Sequence, residues 1–201
     1  MESVRVSLPD GSVIEAPRGT TIRDLAARLS PRLAGRAILG LVDGAAHDLS
    51  YPITADANVA IADETSAEGL DAMRHTAAHI MAQAVLRLFP GTKLAIGPTI
   101  ADGFYYDFDK DGSFTPDDLA RIEAEMGRIV KEDLRVEREE MPIREALKRL
   151  GDAGEVYKTE LLEDLAAQGE QTVSFYRQGE FVDLCRGPHL PRTGMLRAFR
   201  L

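Results

Sequence analysis

The chain has a single cysteine, Cys185. That excludes an internal disulfide framework and suits a reducing compartment. No apolar run approaches the ~20 residues needed to span a bilayer, so no membrane association is expected. The opening residues Met1-Glu2-Ser3-Val4-Arg5 lack the basic and apolar regions of a signal peptide. Together these absences point to the cytoplasm. Positive charge is also scarce: 24 basic residues face 33 acidic ones, for a net charge of −9. Both parts of the chain share the excess, with 6 basic and 9 acidic residues up to residue 64 and 18 and 24 beyond it. A protein that grips nucleic acid by itself normally carries a basic surface. If this chain acts on a nucleic acid, other parts of a larger protein must supply the affinity. What the chain does have is a 44% hydrophobic fraction over 201 residues. That is enough for one medium core or two small ones.

Val4 to Leu8 alternates apolar and polar residues, as a half-buried strand does. Pro9-Asp10-Gly11 is a turn signal, and Ser12 to Glu15 reads as the return strand of a hairpin. Thr20 and Thr21 are candidate N-caps for a helix over Ile22 to Leu29. Short strands fit Ala37–Val42, Ala46–Leu49 and Asn58–Ile61. This is the order of a β-grasp module, assigned to residues 1–62. It holds no catalytic constellation, and its one histidine, His47, reads as structural or solvent-exposed. The polar run from Asp63 to Gly69 reads as a linker. An α+β domain is then expected over residues 63–201, with a long histidine-bearing helix packed on an antiparallel sheet. That helix should run from about Gly69 to Phe89, ahead of Pro90-Gly91. Gly103 to Phe108 is aromatic and strand-like. Thr115-Pro116-Asp117-Asp118 is a helix start, and Arg135–Glu140 alternates like a surface strand. Helices are expected from Pro142 to about Leu150, with Gly151 at the C-terminal end, and over Glu155–Ala166. The last hairpin pairs Thr172–Tyr176 with Phe181–Leu184 and turns through Gln178-Gly179.

The chemistry concentrates in two places. His75 and His79 are four apart on the long helix, so they lie only about 40° apart on its circumference. Leu70, Met73, Ala77, Ile80, Ala84 and Leu88 fall on the opposite side and form the expected core stripe. Asp71, Ala72 and Ala82 share the histidine side and leave it room. Cys185 and His189 are also four apart, but Gly187-Pro188 between them disfavours helix. They belong to a loop leaving a strand, with Asp183 and Arg186 close by. Three chemistries are open to such a set. The four side chains can bind Zn²⁺ tetrahedrally. Imidazoles and a carboxylate can instead orient and deprotonate water without metal. A cysteine–histidine nucleophile is the weakest of the three, because it needs a base oriented beside the thiol.

At these residues the chain resembles a known family. Arg74-His75-Thr76-Ala77-Ala78-His79, Ile96-Gly97-Pro98 with Gly103-Phe104-Tyr105-Tyr106-Asp107, and Phe181 through His189 are similar to the N-terminal region of bacterial threonyl-tRNA synthetases. The first module, with its Leu8-Pro9-Asp10-Gly11-Ser12 hairpin, resembles that family's TGS domain. The resemblance covers essentially the whole chain. It implies an editing esterase that removes serine from tRNA(Thr). Serine lacks one methyl of threonine, which is worth only ~1–3 kcal/mol in a synthetic site, so a second, hydrolytic site is needed. The implied site residues are His75, His79, Tyr106, Lys158, Asp183, Cys185 and His189. His75 and Lys158 would position or activate water, or protonate the leaving ribose oxygen. Asp183 and Cys185 would recognise the serine amino group and hydroxyl, with Tyr106 also binding substrate. His79 and His189 would shape the pocket. Without the resemblance, Lys158 reads as a solvated helix lysine.

The resemblance implies that no cofactor is required. Zinc on His75, His79, Cys185 and His189 is an option, because alanyl-tRNA synthetase editing domains bind zinc through this constellation, but it is the less favoured one, because the resemblance to the threonyl family implies hydrolysis without it. ATP would serve only a class II core that is absent here. The chain is expected to be an N-terminal fragment and monomeric, the full-length protein a homodimer. Two other functions compete: a zinc hydrolase of small esters or amides, and a non-catalytic tRNA-binding module.

Overall fold

Val4 and Val6 point one way from strand β1 (Ser3–Ser7) and are buried, while their neighbours face solvent. β1 pairs antiparallel with β2 (Val13–Pro17) through a turn in which the Asp10 carboxylate accepts from the Ser12 N–H and hydroxyl, at 2.9 and 2.6 Å. β3 (Thr20–Thr21) leads into α1 (Ile22–Leu29), where the Thr21 hydroxyl accepts from the Asp24 N–H and caps the helix. A second helix, α2 (Pro31–Arg36), follows at once. It was not expected, although Ser30-Pro31 supplies both of its start signals, an N-cap and a proline in the first turn. Then come β4 (Leu39–Val42), β5 (Ala45–Asp48), β6 (Pro52–Ile53) and β7 (Ala57–Ala62). The five-stranded sheet has the order β2-β1-β7-β4-β5, with β1 and β7 parallel and the other neighbours antiparallel. β3 pairs separately with β6. Helix α1 lies close on the sheet: a Cβ at Gly40 would sit 2.7 Å from the Ile22 side chain. Ile22, Leu25, Val4, Val6, Ile53 and Val59 form the core of this α+β module. His47 is half-buried on the edge strand β5 and stacks on Tyr51 at 3.8 Å.

The structure, a computed structural model, describes residues 2–201. It divides into two compact units. One comprises the residues through Met73 together with Gly187–Pro191, and the other Arg74–Arg186 with Arg192–Leu201. Among the described residues, no helix is long and apolar enough to cross a membrane.

Helix α3 (Ala67–Leu88) starts two residues earlier than expected and takes in Gly69. Its surface also differs from the expected single stripe. Every residue from Thr76 to Val85 is buried, including Ala82 on the histidine side, while Leu70 in the expected stripe is exposed. A helix rich in alanine can be surrounded on all sides, because its small side chains let neighbours approach. An irregular hairpin follows. β8 (Lys93–Leu94) pairs with β11 (Phe108–Asp109), and β9 (Thr99–Ile100) with β10 (Gly103–Phe104). The strand expected over Gly103–Phe108 is thus interrupted at residues 105–107. α4 (Pro116–Glu132) begins with the expected cap: Thr115 and Asp118 exchange side-chain-to-backbone bonds in a capping box.

β12 (Val136–Pro142), β13 (Thr172–Gln178) and β14 (Phe181–Leu184) form an antiparallel sheet. Between β12 and β13 run α5 (Ile143–Ala153) and α6 (Val156–Ala167). Helix α5 passes through Gly151 and ends at Gly154, whose φ of 73° is the left-handed conformation that glycine adopts freely. The β13–β14 turn falls at Gly179-Glu180, one residue later than expected. Met141, Ile143, Ala146, Leu150, Leu162, Phe175 and Leu184 make a core between the two helices and the sheet.

Candidate active site

Helix α3 carries a polar line through its buried length: His75, His79, Gln83 and Arg87, each four residues after the last. Residues at that spacing share a face. Each member meets the β13–β14 hairpin. The His75 Nε2 is 3.1 Å from Cys185 Sγ. His79 Nε2 is 3.5 Å from Asp183 Oδ2, and its ring meets Phe181 edge-on at 5.5 Å. Gln83 exchanges bonds with Gln178 and donates to Glu180, and Arg87 also donates to Glu180. The helix number rises as the strand number falls, so α3 runs antiparallel to β14. The lengths match. Twelve helical residues rise about 18 Å, and the five residues from Glu180 to Cys185 extend about 17 Å. A single register therefore serves all four polar residues.

Asp183 is the hub of the buried polar set. It is 4% exposed. Its Oδ1 lies 2.8 Å from Lys158 Nζ, and its Oδ2 accepts from the Tyr106 hydroxyl at 2.6 Å. Lys158 also donates to the Tyr106 oxygen at 3.1 Å. Three separate elements supply this triad: β14, helix α6, and the segment between β10 and β11. A buried charge needs such partners, since an uncompensated one is strongly destabilising. Burial, then the Asp183 charge, pushes the Tyr106 phenol well above its usual range, so it stays protonated and donates. Burial pushes His79 down to about 3, against the opposing pull of Asp183. His79 is therefore a neutral imidazole near pH 7, and its approach to Asp183 is a long polar contact rather than an ion pair.

Cys185 is half-buried and follows directly on β14. Its backbone is held on both sides by Ser174, whose carbonyl accepts from the Cys185 N–H at 3.0 Å and whose hydroxyl donates to the Cys185 carbonyl at 2.5 Å. Beyond it, Gly187 takes a φ of 68°, a conformation open to glycine. His189 is buried, and its N–H donates to Asp48 Oδ1 at 3.2 Å. The donor atoms of His75, His79 and Cys185 lie within 4.8 Å of one another.

Of the seven residues named from sequence, Tyr106, Lys158 and Asp183 form a triad and His75, His79 and Cys185 lie close together in the same unit, while His189 belongs to the other unit, where it bonds Asp48. Ser174, Phe181 and Gln83 were not foreseen. The i+4 continuation of the histidines to Gln83 and Arg87 was the readable signal for Gln83. Nothing local marks Ser174 or Phe181.

Two family descriptions match the chain: the TGS domain over residues 4–63, and the threonyl and alanyl tRNA synthetase second additional domain over residues 173–201. Threonine–tRNA ligases of Thiobacillus denitrificans and Carboxydothermus hydrogenoformans are each 51% identical, over 98% of this chain and 31% of their own length. The same ligase of Pelobacter propionicus is 51% identical over 100% of the chain and 31% of its own length. Throughout its length, the chain is similar to the N-terminal region of threonine–tRNA ligases. It spans about a third of the length of these curated relatives.

Proposed function

We propose that this chain hydrolyses the ester that joins serine to a tRNA meant for threonine. The observation that carries the reading is the meeting of Lys158, Asp183 and Tyr106 with His75, His79 and Cys185, in a chain half identical to the start of threonine–tRNA ligases. The residues divide by charge state and depth. Asp183 is the one buried carboxylate of the set and is suited to an α-ammonium group. Lys158 is a buried cation suited to the ester oxygen, where negative charge grows as water attacks. His75, half-buried and beside a thiol, is suited to take a proton from water and return it to the departing ribose oxygen. The products are then free serine and the intact 3′ end of the tRNA. His79 stays neutral and holds water or substrate by hydrogen bonds, and His189 is given the role of shaping the pocket. The Cys185 thiol recognises the serine hydroxyl, and Tyr106 fixes the orientation of Asp183 and Lys158.

Two histidines, a thiol and a third histidine are a donor set that fits zinc. Bound there, the ion would be held by His75, His79, Cys185 and His189 and would lower the pKa of a bound water. We favour the metal-free route, which the resemblance to the threonyl-tRNA synthetases implies. The acidic chain is proposed to act as part of a longer cytoplasmic protein that supplies the tRNA affinity, with residues 1–62 as one domain and 63–201 as the editing domain.

The test is deacylation of Ser-tRNA(Thr) and Thr-tRNA(Thr), with and without chelator, by the chain and by His75→Ala. Loss of serine alone, resistant to chelator and abolished by the substitution, is the expected result. Chelator-sensitive cleavage of simple esters, indifferent to tRNA, would replace this reading with a zinc hydrolase.

A further inference from the structure

Tyr106 reaches Lys158 and Asp183 from an irregular part of the β8–β11 hairpin, where regular strand pairing is interrupted. The frame is nevertheless held. The Ala95 N–H donates to the Asp107 carbonyl at 3.0 Å, and the Asp107 N–H to the Ile96 carbonyl at 2.8 Å. These bonds set the segment carrying Gly97 against the segment carrying Tyr106. A Cβ built on Gly97 would lie 2.1 Å from Tyr106 Cδ2, 2.6 Å from Cε2 and 2.9 Å from Cγ. The ring thus lies directly on the Gly97 backbone. Phe108 stacks with the same ring at 5.1 Å and 23°. Lys158 Nζ lies 5.4 Å from its centroid.

Gly97 is not one of the glycines with positive φ, and Pro98 after it favours extended backbone. Alanine could adopt that conformation. What excludes a side chain is the ring. Ordinary contact begins near 3.4 Å, so a methyl group would require roughly 1 Å of movement at the ring edge. The Tyr106 oxygen has little to spare, with bonds of 2.6 and 3.1 Å that weaken steeply with distance and misalignment.

We propose that Gly97 is a positioning residue: its missing side chain forms the slot that sets where the Tyr106 phenol meets Lys158 and Asp183. The inference rests on the editing reading for its effect on rate, but the position of the ring can be measured without it. The experiment places Gly97→Ala in the chain with ¹³C-labelled tyrosine, assigns Tyr106 by Tyr106→Phe, and follows the Tyr106 Cζ resonance beside Ser-tRNA(Thr) deacylation. Gly103→Ala is the control, because a Cβ there meets nothing within 4 Å. Gly97→Ala is expected to move the Tyr106 signal and slow deacylation by about 10–100-fold, the scale of a 1 Å misplacement. Gly103→Ala should do neither. The urea midpoint lost in Gly97→Ala should also be absent in a Tyr106→Ala background, where no ring remains to collide. An unmoved Tyr106 signal overturns the proposal, and so does an equal midpoint loss with and without the ring. If the signal moves but the unsubstituted chain does not deacylate Ser-tRNA(Thr), the slot stands and the editing reading falls.

Discussion

Replacing Lys158 with methionine tests whether the triad is the buried ion pair its geometry implies. The two side chains are only 6% and 4% exposed, and Nζ lies 2.8 Å from Asp183 Oδ1. Methionine keeps most of the aliphatic stem and removes the charge. Asp183 would keep the Tyr106 hydrogen bond and the distant His79, with no cation nearby. An uncompensated buried charge of this kind costs about 3–5 kcal/mol, a large share of the ~5–15 kcal/mol that stabilises a typical domain. Removing both charges, as Lys158→Met with Asp183→Leu, is expected to recover most of that loss. A remainder of about 1–3 kcal/mol belongs to the Tyr106 hydroxyl, left without its acceptor. Adding Tyr106→Phe should remove the remainder. Urea unfolding of the four proteins, compared at constant m, gives the values. If Lys158→Met alone costs under about 1 kcal/mol, water reaches the pair and the argument for a dry site fails. Deacylation should be lost in all three variants, which separates the pair's role in the reaction from its effect on stability.

His79 gives a pH prediction. Its folded value is pushed from 6.5 down to about 3, so below pH 6.5 the unfolded chain takes the proton first. This contribution to stability is complete above about pH 6.5 and is lost as pH falls toward 3, at up to ~1.4 kcal/mol per pH unit. Urea midpoints between pH 7 and 4.5 should fall less steeply for His79→Gln; parallel curves would show that the imidazole titrates freely. Arg87 donates to Glu125, Glu132 and Glu180 at once. Arg87→Met should cost about 2 kcal/mol, and Arg87→Lys should recover less than half of it, because an ammonium cannot reproduce the planar fork. Equal stability for lysine and arginine would show that charge alone matters there. If the site works without metal, overnight dialysis against chelator should leave the deacylation rate within about twofold, a threshold set by ordinary assay scatter rather than by the structure; a larger loss restored by zinc would reverse that reading.

Short-range physics made much of the fold legible. The turn at Asp10-Gly11, the Thr21 and Thr115 caps and the alternation in β1 are each decided by neighbours in sequence. So was the shared face of His75 and His79, which follows from helical spacing alone. The motif around Cys185 carried the family resemblance. Where the local reading erred, tertiary packing decided the outcome. The α3 wheel predicts one buried stripe, yet burial runs all the way round from Thr76 to Val85, because a helix lined with alanines can be enclosed. Lys158 reads locally as a solvated lysine. It is buried because Asp183 and Tyr106, brought from β14 and the hairpin, supply partners that no window around residue 158 contains. The slot at Gly97 depends on a ring nine residues away. Sequence by itself determined which groups were available for chemistry. Only the folded chain decided which of them are dry, which are paired and which stay neutral, because desolvation and pairing depend on what lies across space.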